Sequence, residues 1–451
     1  MPTLRLPALF ADPPPFEQPI FLANGRLFDG TSAPIRDGTG ILVEDGRIAR
    51  VGLASDAVPE GTVRVDVAGK TVMPGIVNCH VHAIGQTPPS KMGADLQLQE
   101  THQHFLARQL QESLRMGVMT VRDMGTTGDQ VFPTRQAMRY GAFRGARILT
   151  CGLIISGTAP GGPLFASMYR EVDGEDEVRK GVREQIRRGA DFIKLMATGA
   201  RSVELEAGLI ADPCGGAASM PVQLTIDEMR VAVEEANRMG YDVVAHAEGL
   251  DGCEAAIELG MRTIEHGMYL NQRPDLLAKM ADRDIALVPT FSSSYWNAGR
   301  DDQVGVEGEG ARTWTDELDR NAHVNIAQSE LTIKAAQAAG TPIALGGDSW
   351  RNKAGAWIEI LRMIHHGLPA RAALVASTSA AAHAIGLGDL IGTVEAGKLA
   401  DLIVLDDDPV EHPEVLGDRD KIWLVIQAGT PIAGRALEVD LAALAASADR
   451  R

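Results

Sequence analysis

The chain has 451 residues, enough for one large core with a smaller unit beside it. Its content is 45% hydrophobic and 23% charged, the balance of a globular protein in water. The net charge of −17 argues against nonspecific nucleic-acid binding and against docking on an anionic membrane.

Residues 1–16 surround Pro13, Pro14 and Pro15 and read as an irregular arm. Residues 17–73 read as short strands between glycine turns, with a hairpin signal at Asp45-Gly46. Similar texture returns over 389–451. Neither segment is large enough to be comfortable alone, so the two are expected to pair into one discontinuous β-sandwich domain. Between them, over 74–388, apolar runs alternate with amphipathic stretches. The run ending at His80 and His82 is the first strand. Runs at 117–123, 148–154, 192–196, 242–246, 262–266, 286–290 and 343–348 complete eight. A helix is expected from Glu175 to Arg188, stopping at Gly189. Another is expected after the capping box at Thr225 and Glu228. Eight such units predict an α/β fold, a (β/α)8 TIM-like barrel carrying the small β domain. Residues 297–313, rich in Gly, Asp and Glu, read as a long loop and a candidate lid.

His80 and His82 lie two apart, which in a strand places both side chains on one face. Two imidazoles aimed together suit a metal ion, though H-x-H alone is weak evidence. Barrel enzymes set reactive residues at the C-terminal ends of their strands. Lys194 lies in strand 4, His246 ends strand 5, His266 ends strand 6 and Asp348 ends strand 8. Six candidate ligands therefore converge in a barrel. Lys194 sits among apolar residues, where a bare ammonium is costly. It either carries CO2 as a carbamate or pairs with a nearby carboxylate. His102, His104, His323, His365, His366, His383 and His412 read as structural or solvated. Arg122 and Asp123 read as a structural ion pair. Glu248 is a candidate for proton transfer. The cysteines Cys79, Cys151, Cys214 and Cys253 form no C-x-x-C pair and read as reduced thiols. No signal-peptide pattern or membrane-length apolar run is recognised, so a cytoplasmic location is expected.

Together these residues resemble the amidohydrolase superfamily, binuclear branch. The segments that carry the likeness run from Pro74 to His82, from Ile193 to Gly199, from Thr263 to Gly267 and from Leu390 to Asp401. Within it, the chain is most similar to prolidase-like Xaa-Pro and Xaa-Arg/Lys dipeptidases, a group that includes enzymes cleaving N-acyl amino acids such as ochratoxin. The resemblance implies two divalent ions, zinc by family habit. His80, His82 and Asp348 would hold one, His246 and His266 the other, and carboxylated Lys194 would bridge them. It implies hydrolysis of an amide or peptide bond by a bridging hydroxide, with Asp348 moving the proton.

The implied partner is a small-molecule substrate, a dipeptide or N-acyl amino acid, and a homo-oligomer is expected. Tyr269, Ser292, Tyr295, Trp350 and Arg351 follow strands 6, 7 and 8 and are the candidate substrate contacts. The turn from Ser156 to Pro163 lacks the histidine expected of relatives, and none follows Asp348 closely. Rival readings are a mononuclear deaminase or cyclic-amide hydrolase, a lactonase or phosphotriesterase, and a barrel without catalysis.

Overall fold

A computed structural model of the chain describes residues 18–54, 57–83, 99–159, 162, 168–200, 220–297, 316–348 and 355–437. The first strands are β1 (Ile20–Leu27), β2 (Arg36–Glu44), β3 (Arg47–Val51), β4 (Val63–Asp66) and β5 (Thr71–Pro74). Next come β6 (Ile76–Val81), β7 (Val118–Asp123), β8 (Arg147–Thr150), β9 (Ile154–Gly157) and β10 (Tyr169–Val172). Then follow β11 (Ile193–Met196), β12 (Val243–Ala247), β13 (Thr263–His266) and β14 (Ala286–Val288). The last are β15 (Leu402–Leu405), β16 (Ile422–Gln427) and β17 (Thr430–Ala433).

Both chain ends build one sheet, in the order β17-β16-β15-β5-β1-β2-β3, with β4 on β1. The join is antiparallel, with Thr71 opposite Leu405 and Met73 opposite Ile403. Leu22, Ile41 and Val72 from one end pack in one apolar core with Leu402, Val404 and Ile426 from the other. Asp45 and Gly46 have φ of 49° and 76°, the left-handed pair that a tight hairpin needs.

The middle of the chain is parallel. β6, β7 and β8 pair in order, and β9, β11, β12, β13 and β14 form a second run, with β10 outside β9. Backbone bonds link the two runs at both ends. Asp191 N donates to Thr150 O at 2.8 Å, tying β8 to the approach of β11. On the other side Ala344 N reaches Leu287 O at 2.9 Å, so the 343–348 segment lies beside β14. Cys79 N then donates to Leu345 O at 2.8 Å, which returns the segment to β6. These are the staves of the expected barrel. Two expectations are corrected: the run 343–348 is not a regular strand but holds a single parallel bridge, Ile343 to Leu287, and the strand read over 148–154 is two, β8 and β9. Gly152 has φ 70° and its N–H bonds Thr150 Oγ1 at 3.0 Å, so the chain turns there before resuming.

The helix Glu175–Arg188 ends at left-handed Gly189, φ 103°. Thr225 and Glu228 form the reciprocal capping box of Ile226–Arg238. Among the described residues no helix is long and apolar enough to cross a membrane.

One buried ion pair fastens barrel to sheet. Arg147, opening β8, grips both carboxylate oxygens of Asp401, which also accepts from Ala428 N at 2.9 Å. Removing one partner leaves the other charge buried and unpaired. Arg147→Ala is expected to lower unfolding free energy by about 3–5 kcal/mol, read from urea denaturation.

Candidate metal centre

The six candidate ligands are brought together, and all are buried. His80 and His82 end β6. Their Nε2 atoms face Asp348 Oδ1 at 3.3 Å and 3.1 Å. His82 Nδ1 donates to Gly125 O at 2.7 Å, which fixes its tautomer and leaves the Nε2 lone pair toward the centre. His80 Nδ1 lies 2.7 Å from Glu265 Oε2 and is fixed in the same sense. His266 Nδ1 meets Thr290 Oγ1 at 2.6 Å. His246 Nε2 faces Gly199 O at 3.3 Å, which leaves Nδ1 as its lone-pair atom. The His246 and His266 rings lie 4.4 Å apart, and the His80 and His266 rings 5.4 Å.

The tightest group is His80, His266 and Asp348, whose donor atoms lie within 4.8 Å of one another. It straddles the two ligand sets that the resemblance implied. Close approach of the 343–348 segment to β6 depends on Gly346. A Cβ there would stand 2.7 Å from His80 Cβ and 2.3 Å from Val288 Cγ1.

The electrostatics suit a cation. Burial and then the Lys194 charge push His246 down to about 3, so it is neutral at pH 7. Burial and the neighbouring His246 hold His266 well below its ordinary value. Burial raises the Asp348 carboxyl, but His80 and His82 outweigh it and keep the group ionised. The neutral imidazoles of His246 and His266 beside a carboxylate belong to the donor set of a zinc-like ion. Lys194 Nζ is buried with no hydrogen-bond partner among the described residues. Burial lowers it to about 8, so neutral amine is available near physiological pH. An orphaned buried amine is what a site completed by further atoms on nitrogen would present.

Two polar residues supporting this centre were not singled out from the sequence. Glu265, fully buried in β13, holds His80 with one oxygen and Arg122 Nη2 with the other at 3.0 Å. Thr263 Oγ1 adds a further bond to it. Burial alone would raise the Glu265 carboxyl, yet Arg122 and His80 bring it down to about 2. Asn78 Oδ1 accepts from His80 N and Gly347 N, both at 3.1 Å, tying the ends of β6 and the 343–348 segment together. The available signal was a carboxylate and an amide inside otherwise apolar strands.

The expected Arg122–Asp123 pair is corrected. Neighbours in a strand point to opposite faces. Arg122 turns to Glu265 and to Cys79 O, at 2.7 Å, while Asp123 accepts from Ala83 N and Thr150 Oγ1. Cys79 packs in an apolar cluster with Val77 and Val244, and Cys79, Cys151 and Cys253 are free thiols. Glu248 lies 3.7 Å from His246 Nε2.

Of the candidate substrate contacts, Tyr269 is buried. Ser292 Oγ donates to Glu359 at 2.6 Å, and Tyr295 OH bonds His366 Nε2 at 2.9 Å. Both hydroxyls are engaged inside the fold. Trp350, Arg351, Cys214 and all but Asn297 of the expected lid over 297–313 lie outside the described residues, as do Pro160, Gly161 and Pro163 of the turn from Ser156 to Pro163.

A residue that orients a ligand commonly sets metal affinity by about 10–100-fold. Glu265→Gln keeps the volume and removes the charge. It is expected to weaken zinc binding by about that factor, measured by competition with a chromophoric chelator.

The Amidohydrolase family model matches residues 71–432. Ochratoxinase of Aspergillus niger is 28% identical over 445 residues, covering 90% of this chain and 85% of that enzyme. Imidazolonepropionase of Symbiobacterium thermophilum is 25% identical over 427 residues, covering 84% of this chain and 86% of that enzyme. The crystal structure of a Xaa-Pro dipeptidase with methionine bound in its active site matches with a TM-score of 0.76 at 25% identity. That match covers 92% of this chain and 100% of the dipeptidase. This chain belongs to the amidohydrolase family, a family of hydrolases.

Proposed function

We propose that this protein is a binuclear metal-dependent hydrolase that cleaves the amide or peptide bond of a dipeptide or N-acyl amino acid. The observation carrying the reading is the buried convergence of His80, His82, His246, His266 and Asp348 around a strand whose Lys194 Nζ has no partner among the described residues. The likeness to ochratoxinase and to a Xaa-Pro dipeptidase supports an amide substrate with an amino acid leaving group.

Bound divalent ions would supply an acidified water and a polarised carbonyl. His80, His82 and Asp348 would hold one ion, and His246 and His266 the other. Lys194, carboxylated on Nζ by CO2, would stand between them. Its neutral amine is the form that reacts with CO2, and burial favours that form. Asp348 is kept ionised by His80 and His82, so it is ready to accept a proton from the attacking water. It then delivers that proton to the leaving nitrogen. Its place at the end of the 343–348 segment, tied to His80 O through its own N–H at 2.8 Å, fixes the carboxylate for both transfers. Trp350 and Arg351 follow directly, where an aromatic ring and a guanidinium suit an apolar side chain and a substrate carboxylate.

The likeness to imidazolonepropionase favours one second reading, a cyclic-amide hydrolase with a single ion. One zinc per chain with unmodified Lys194 would decide for it.

The test is a screen of zinc-loaded protein against dipeptides and N-acyl amino acids that vary the C-terminal residue. Release of an amino acid from some members is expected, and no release from any member overturns the substrate class. Asp348→Asn is expected to keep much of the metal and lose about 10²–10⁴-fold in kcat. Lys194→Ala is expected to lose activity that a short carboxylic acid partly restores. Wild-type turnover in either variant, under the same assay, sinks its assigned role.

A further inference from the structure

Seven non-glycine residues among those described have positive φ. Asn24, Asp45, Asp284 and Asp348 are Asn or Asp, which tolerate this region through local bonding. His266 (φ 72°) and Thr290 (φ 49°) are bulkier, Thr290 is β-branched, and they touch: His266 Nδ1 meets Thr290 Oγ1. A β-branched residue there is strained and persists only where its surroundings impose it.

The two residues after Thr290 are anchored from outside. Glu359, on the helix Gly355–His365, is fully buried. Its Oε1 accepts from Phe291 N at 2.8 Å. Its Oε2 accepts from Ser292 N at 2.8 Å and from Ser292 Oγ at 2.6 Å. Three donors from the two residues after Thr290 converge on one carboxylate, and nothing in the chemistry above uses it. Arg362, one turn further along the same helix, stacks over Tyr295 at 4.4 Å and closes the cluster.

We propose that Glu359 is a positioning residue for His266. By fixing the backbone at Phe291 and Ser292 it holds Thr290 in the left-handed region. That aims Thr290 Oγ1 at His266 Nδ1; with the hydroxyl as acceptor in this contact, the proton stays on Nδ1 and the Nε2 lone pair is left toward the ligand cluster. The metal consequence rests on the reading that His266 is a ligand. The tautomer does not.

The experiment uses the full chain labelled with ¹⁵N-histidine, with the His266 signals assigned by their loss in His266→Asn. The tautomer of His266 is read from ¹⁵N–¹H couplings in metal-free protein. Zinc affinity is read separately by chelator competition. The variants are Thr290→Val, which keeps the shape and loses the hydroxyl, Glu359→Gln, and the two combined. Each single change is expected to deplete the Nδ1–H form and to weaken zinc by about 10–100-fold. The double variant is expected to be no weaker than Thr290→Val alone, because both act on one bond. Losses that multiply, or an unchanged tautomer in Glu359→Gln, overturn the proposal. If Glu359→Gln does not fold, Ser292→Ala removes one of the three donors and is expected to shift the tautomer the same way, to a lesser extent. No shift then overturns it. If wild-type chain binds no zinc, the metal reading fails, while the tautomer still decides what Glu359 does.

Discussion

A carboxylate with no exposure, Glu265, stands between a guanidinium and an imidazole, and the candidate centre is built on that contact. Arg122 supplies a charge from β7, Glu265 answers it from β13, and His80 receives the second oxygen on β6. An isolated ion in such a place would cost several kcal/mol. Here every lone pair of consequence is met, so the network becomes a specification: only one arrangement of these three strands satisfies it. Asn78 repeats the logic with a neutral group, since one oxygen accepts from two backbone N–H groups on two segments. Aligning His80 is thus a property of the barrel wall rather than of a loop.

Rigidity below the ligands is matched by stored conformational energy above them. His266 at the end of β13, Thr290 just past β14 and Asp348 at the end of the 343–348 segment all have φ between 46° and 72°. Such backbone is unfavourable for most L-residues, and it clusters where function demands a fixed aim. At a strand end this turn redirects the side chain inward while the chain departs outward. At Thr290 the residues that follow are anchored by Glu359, on a helix outside the barrel. The outer layer is therefore part of the site's geometry.

Much of this was legible in the sequence because it is local. The H-x-H spacing, the strand-end positions of His246, His266 and Asp348, the capping box at Thr225 and the stop at Gly189 need only a few neighbouring residues to be read. The break between β8 and β9 was missed because Gly152 looked like one more small residue in an apolar run. Arg122 was assigned to its chain neighbour, whereas its partner is 143 positions away. Glu265 and Glu359 were passed over for the same reason. Their meaning lies in contacts 185 and 68 positions distant. Ser292 and Tyr295 follow strand 7, where proximity suggested substrate. The short helix Phe291–Asn297 instead turns both hydroxyls toward buried partners.

The shared sheet has a consequence for how the molecule is made. β5 cannot find β15 until more than three hundred further residues have left the ribosome. Until then Val72 and Met73, wholly buried in the finished protein, have β1 on one side and an open edge on the other, and they lead directly into β6. Contacts of such long sequence separation form late and slowly. The first barrel strand must therefore wait beside an unfinished sheet edge. Completing the sheet waits on the late synthesis of β15, and the interval before it is when an open edge is exposed to aggregation.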